Sequence, residues 1–148
     1  MAEPFLHIPF WRTGGFDNIQ YRSQLYFTPL SPQPVVLGIY LFENGGEPWA
    51  GRTFEYEIDQ HIDKVTTNRE GMLSIELGGG QVVRIQINVL EHEYGTGEVH
   101  LLRAPGDTPL LARGDLEVFA KEDSGGFELS TSEITITGGR PVTVTPVG

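Results

Sequence analysis

The side chains with which this 148-residue chain could do chemistry are four histidines, twenty carboxylates and two tryptophans. There is no cysteine, which excludes disulfides, thiolate metal sites and cysteine nucleophiles together. His7, His61, His92 and His100 would have to converge with carboxylates to hold a metal. Only Glu91-His92-Glu93 is a local cluster. On a strand, Glu91 and Glu93 share one face and His92 takes the other, so the three cannot close on one ion. A hairpin through Tyr94-Gly95-Thr96-Gly97 would set His92 across from His100, and two ligands make a poor site. Glu55, Glu57 and Asp59 lie on one face of one strand, and paired carboxylates do glycosidase chemistry when they flank a substrate. Their alternation with Phe54, Tyr56 and Ile58 assigns them instead to a solvated face. Asp59, Asp63 and Glu70 stand near turns but lack the Asp-x-Asp-x-Asp-Gly pattern of a calcium loop. Gly78-Gly79-Gly80 and Ser124-Gly125-Gly126 open no helix and carry no Gly-Lys-Ser/Thr ending, so neither is a phosphate loop. The expectation is a protein that is not an enzyme, with no catalytic residue, cofactor or metal. Trp11 and Trp49 could stack on a sugar or anchor a protein interface. Trp49, beside Pro48, could equally cover the end of the core.

The elements that must hold these residues are strands. Val35–Phe42 is strongly apolar and long enough to be central. Glu43-Asn44-Gly45-Gly46 is a turn, its Asn-Gly pair supplying positive φ. Alternation continues in 54–58, 72–77 and 82–90, with a short strand over 61–65 between them. Shorter strands are expected over 98–102, 116–119, 127–129, 133–137 and 141–145. No amphipathic helix stands out; Thr66-Thr67 and Gly71 spoil the best window, 63–72. Many short strands spaced by Gly, Pro and Asn turns predict a sandwich or a barrel. The run Ile39–Phe42 with Pro48, Ala50, Arg52 and Phe54–Tyr56 has an echo in Val99–Leu102 with Pro109, Ala112, Arg113 and Leu116–Phe119. That spacing allows two small β modules, 35–92 and 98–148, or two halves of one sandwich.

Residues 1–34 differ in composition. They hold seven of the fifteen aromatics and five prolines, and their charges cancel. Disordered tails are poor in aromatics, so this segment must bury Phe5, Phe10, Trp11, Phe16, Tyr21, Tyr26 and Phe27 against something. It reads as an extended arm with two short strands, 5–11 and 20–27. Either it packs on its own domain as an edge, or it docks on another subunit. In the docking reading these seven aromatics, with Trp49, are the partner-binding residues. All of the net charge of −10 then falls in 35–148. The basic residues are scattered singly, which argues against nucleic acid and against an anionic membrane surface as partners. No stretch approaches the length of a membrane span, and the first thirty residues lack a basic region followed by an apolar run, so no signal peptide is expected. Met1-Ala2-Glu3 reads as a natural start.

Gly46-Glu47-Pro48-Trp49-Ala50-Gly51, an alternating strand, Thr67-Asn68-Arg69-Glu70-Gly71 and a second alternating strand resemble transthyretin-like and carboxypeptidase-regulatory-like modules over residues 37–90. Trp49 departs from the pattern, where the family usually has something polar. The resemblance implies an antiparallel Greek-key sandwich, immunoglobulin- or transthyretin-like, here following the arm. It also implies a role as spacer or interaction unit, as in bacterial surface proteins, secretion-associated proteins and phage particles. The leading functional expectation is therefore a structural or assembly protein, a decoration, tail or accessory subunit of a phage or phage-like particle. It would be particle-associated or cytoplasmic, would dock through its arm on protein subunits, and would form a homo-oligomer or join neighbouring chains. A carbohydrate-binding or adhesion module, with a glycan as partner, is the alternative. A small hydrolase with a dispersed site is the third reading.

Overall fold

The structure is a computed structural model that describes residues 5–105, 108–120 and 127–138. Eleven strands and no helix make up these residues: β1 (Leu6–Phe16), β2 (Ile19–Pro29), β3 (Val35–Glu43), β4 (Thr53–Ile58), β5 (His61–Thr66), β6 (Met72–Leu77), β7 (Val83–Ile87), β8 (Glu93–Arg103), β9 (Leu110–Ala120), β10 (Phe127–Ile134) and β11 (Thr137–Gly138). They form one antiparallel sheet in the order β5-β4-β7-β2-β1-β8-β3-β6. β9 and β10 extend it beside β2, and β11 pairs β1. The sheet is curled nearly into a barrel. The all-β expectation holds. The strand expected over 141–145 lies outside the described residues.

Residues 5–34 are not an appendage. β1 and β2 sit in the middle of the sheet. β2 pairs β9 along its whole length, Ile19 to Pro29, and on its other side pairs β7 over Ser23–Phe27. The physical reason is the pattern Ser23, Leu25, Phe27, which alternates and buries one complete face. Of the two expectations for the aromatic segment, packing within its own domain describes these residues. The sheet is also continuous across the boundaries drawn at residues 34 and 92, because β8 lies between β1 and β3 and β9 lies against β2.

A bulge in β1 decides what that strand shows to each side. Its register against β8 gains one residue between Ile8 and Trp11. Pro9 stands there, and a residue without an N–H cannot continue the ladder. Leu6 and Ile8 are buried before the bulge, Trp11 and Thr13 after it. The parity of the strand is thus reversed, Trp11 turns inward, and Arg12 turns out.

The core fills the interior of the curl. Val35, Leu37, Ile39 and Leu41 of β3 are wholly buried, and Leu73, Ile75 and Leu77 of β6, Leu25 and Phe27 of β2, and Val83, Ile85 and Ile87 of β7 join them in a single cluster. One end is closed by Trp49. The loop between β3 and β4 folds back so that Trp49 N–H donates to the Leu41 carbonyl at 2.9 Å. The indole lies 4.4 Å from Trp11, centroid to centroid, and stacks on Phe54 at 5.6 Å. Trp11 Nε1 donates to the Thr96 carbonyl at 2.7 Å, which satisfies its one polar atom.

Tyr94-Gly95-Thr96-Gly97 is not a hairpin turn. It runs inside β8, with Gly95 opposite Glu43 of β3 on one side and Trp11 of β1 on the other. A Cβ on Gly95 would come within 1.7 Å of the Phe42 carbonyl oxygen. The glycine is there because two backbones meet, the second meaning a strand glycine can have. His92 and His100 are therefore on one strand path and do not face each other across a turn.

Candidate functional site

The residues singled out in the sequence disperse in the fold. His7 is on β1, its Nε2 buried and without a hydrogen-bond partner. His61 is exposed on β5. His100 on β8 meets Glu98 at 3.1 Å and packs edge-on to Tyr40, with ring centroids 4.8 Å apart. His92 and Glu93 turn to different partners, as alternation requires. Among the described residues no three His, Asp or Glu side chains converge. Glu55 and Glu57 lie on the outer side of β4 while Phe54 is buried, and Glu57 pairs with Arg84 of β7 at 3.3 Å.

The eight aromatics proposed to bind a partner divide by burial. Trp11, Phe27 and Trp49 have no exposed surface. They are core residues, and in this fold they present no surface to a partner or a sugar. Phe5 packs against the core. Phe10, Tyr21 and Tyr26 are half-buried. The Phe16 side chain lies outside the described residues.

Two surface features are built around β2, one at each end. At its C-terminal end, Val82, Thr28 and Leu111 stand in one row across β7, β2 and β9, since Phe27 pairs Val83 and Thr28 pairs Leu111. Val82 is 47% exposed and Leu111 53%; Leu30, just past the strand, is 54% exposed. A groove of about 150 Å³ lies between Val82 and Leu111, lined also by Tyr26, Phe27, Thr28, Ala112 and Arg113. Scattered apolar residues are normal on a surface, but a contiguous group is the mark of a contact site. Two of the expected partner-binding residues line it, Tyr26 and Phe27, and Phe27 has no exposed surface. The aliphatic residues around the groove were not singled out in the sequence, because alternation assigns such positions to a solvated face and only the cross-strand register gathers them.

At the other end of β2, the chain between β7 and β8 crosses over β1. Thr13 Oγ1 accepts from Val89 N–H at 2.9 Å, and Gly15 N–H donates to the Leu90 carbonyl at 3.1 Å. The crossing is possible because residue 14 is glycine, with φ at +82°; a Cβ there would lie 1.9 Å from the Glu91 carbonyl oxygen. The crossing delivers His92 to Arg12 and Glu93 to Arg52. Arg52 grips Glu93 with two bonds, Nε to Oε2 at 3.0 Å and Nη2 to Oε1 at 2.9 Å. These bonds hold the Glu93 carboxyl below the usual carboxylate range, with burial opposing them. The Trp49 indole N–H, which has no hydrogen bond of ordinary geometry, adds a smaller lowering. Arg12 donates from Nε to His92 Nε2 at 2.9 Å and sits over the Tyr21 ring, its Cζ 3.8 Å from the ring centroid.

No family model matches the chain, and no curated protein or solved structure matches it. The resemblance to transthyretin-like modules rests on residues 37–90 alone.

Proposed function

We propose that the chain is a non-catalytic assembly protein that joins protein subunits through the outer face of β7, β2 and β9. The observation that carries this reading is the exposed apolar pair Val82 and Leu111 lining its groove, in a chain whose charge is otherwise strongly acidic. Large aromatic and aliphatic groups that shed water are what gives a protein interface its affinity. The dispersal of the histidines supports the non-catalytic half of the reading, since a general base needs its partner within hydrogen-bond reach of a substrate. His100 has a carboxylate, but both lie on one strand beside Tyr40. The finer description as a Greek-key sandwich, and the accessory role in a phage-like particle, go with the resemblance and are proposed on that footing. A glycan partner is less well supported, because both tryptophans are in the core.

The test is the absolute mass in solution, by light scattering, of the natural chain and of Leu111→Glu. Leu111 is half exposed, so the change costs the fold little. A natural oligomer that becomes a folded monomer supports the proposal with a second copy as partner. If both are monomers, a photo-crosslinking residue at position 111 should capture one defined subunit, while the same residue at position 63 on β5 should not. Monomers with no crosslink specific to position 111 overturn the reading.

A further inference from the structure

We propose that Arg12, held by Tyr21 and His92 and flanked by Tyr94, forms a carboxylate-binding site, built to take an acidic side chain or a chain terminus. The site lies at the opposite end of β2 from the apolar groove and does not depend on it. The starting point is an imbalance. Arg22, Arg52, Arg84, Arg103 and Arg113 each reach a carboxylate within 3.9 Å. Arg12 is half-buried, yet none of the described carboxylates comes within ion-pair distance of it, in a chain with twice as many acidic as basic residues. A partly desolvated cation ordinarily acquires an anion. Here Nε is used by His92, and neither Nη meets an acceptor among the described residues.

The geometry fixes what would fit. Ser23 Oγ accepts from the Arg12 backbone N–H and donates to the Arg12 carbonyl, both at 2.8 Å, so the backbone that carries the guanidinium is pinned. The Tyr21 ring beneath Cζ and the Nε bond to His92 together hold the guanidinium in place. What the described residues leave open is the end-on pair of Nη donors, a planar two-toothed fork that matches the two oxygens of a carboxylate. Tyr94 is the cross-strand partner of Arg12, so the two share a face. Its hydroxyl accepts from Asn44 Nδ2 at 2.8 Å on the β3 side, which fixes the ring beside Arg12. The charge of the molecule favours a monoanion. A phosphate dianion would meet the field of a chain of net charge −10 and the exposed Glu91 nearby. Glu93 is already neutralised by Arg52.

The test is an NMR titration of the full chain with sodium acetate, following the Arg12 Nε–Hε signal and the Tyr21 and Tyr94 rings. Saturable shifts confined to these groups are expected, with inorganic phosphate binding more weakly. Arg12→Gln should abolish them. Arg12→Lys keeps the charge but not the fork, so a folded Lys variant should bind at least about tenfold more weakly. Titration with N-acetylglutamate α-amide and with N-acetylalanine then separates an acidic side chain from a chain terminus as the natural ligand. Shifts that rise linearly without saturating, unchanged acetate binding in either Arg12 variant, or tighter binding of phosphate would overturn the proposal.

Discussion

Thr67 shows how one hydroxyl can hold a loop that closes a core. Its Oγ1 donates to the Trp49 carbonyl at 2.6 Å and accepts from the Arg52 N–H at 3.0 Å, with only 2% of the residue exposed. Replacing it by valine keeps the shape and leaves a carbonyl and an N–H unsatisfied, at a cost of roughly 2–4 kcal/mol. Urea unfolding should register this as a lower midpoint with an unchanged slope. Next to it, Glu93 sets an acid limit. A carboxylate more acidic in the folded than in the unfolded chain adds stability that is complete above the unfolded pKa of about 4.3 and is lost as pH falls through the lower folded value. Glu117 moves in the same direction; burial works against it, and the bonds from Arg22 and Gln24 outweigh burial. Stability should therefore fall as the solution is acidified below about pH 4.3. Glu93→Gln should lower stability at neutral pH and flatten that dependence, measured as the free energy of unfolding against pH. At this scale the sequence was partly legible. Trp49 could be read as a core plug because a proline precedes it. Arg12 could not be read at all, since its neighbour His92 is eighty positions away and the bulge at Pro9 inverts the face on which it stands.

Most strands were legible, because alternation of apolar and polar side chains is a local property. β3, β4, β5 and β6 lie within a residue or so of where the pattern puts them. The errors fall where a residue type has two meanings. Gly95 and Gly97 signal a turn when read locally, and in the fold they let β8 run close to its neighbour β3. Prolines and aromatics gave residues 1–34 the look of an arm, because a central strand seldom contains proline; Pro9 is accommodated by the bulge. The consequence is a sharp expectation about truncation. A chain beginning at Val35 loses both central strands and leaves β7, β8 and β9 each without one of its neighbours. It should fail to fold, seen as a collapse of amide dispersion in NMR and loss of the near-ultraviolet circular dichroism of Trp49. A folded, cooperative domain from residue 35 onward would mean that the central position of β1 and β2 is not what holds the sheet together.

The order of strands across the whole sheet was not legible, and the reason is distance along the chain. β1 finds β8 and β2 finds β9 at separations that no local pattern encodes. Topologies dominated by such pairings fold in milliseconds to seconds rather than microseconds. There is a further consequence for the chain as it is made. β2 leaves the ribosome well before β7 and β9, the strands that pair Leu25, Tyr26 and Phe27 on either side. At ordinary rates of synthesis the gap before β9 is complete is on the order of ten seconds. Throughout that interval Leu25, Tyr26 and Phe27 belong to an unpaired edge. The nascent chain is most exposed to mispairing with its own copies on a crowded polysome, and that hazard ends only when residues near Ala120 have emerged.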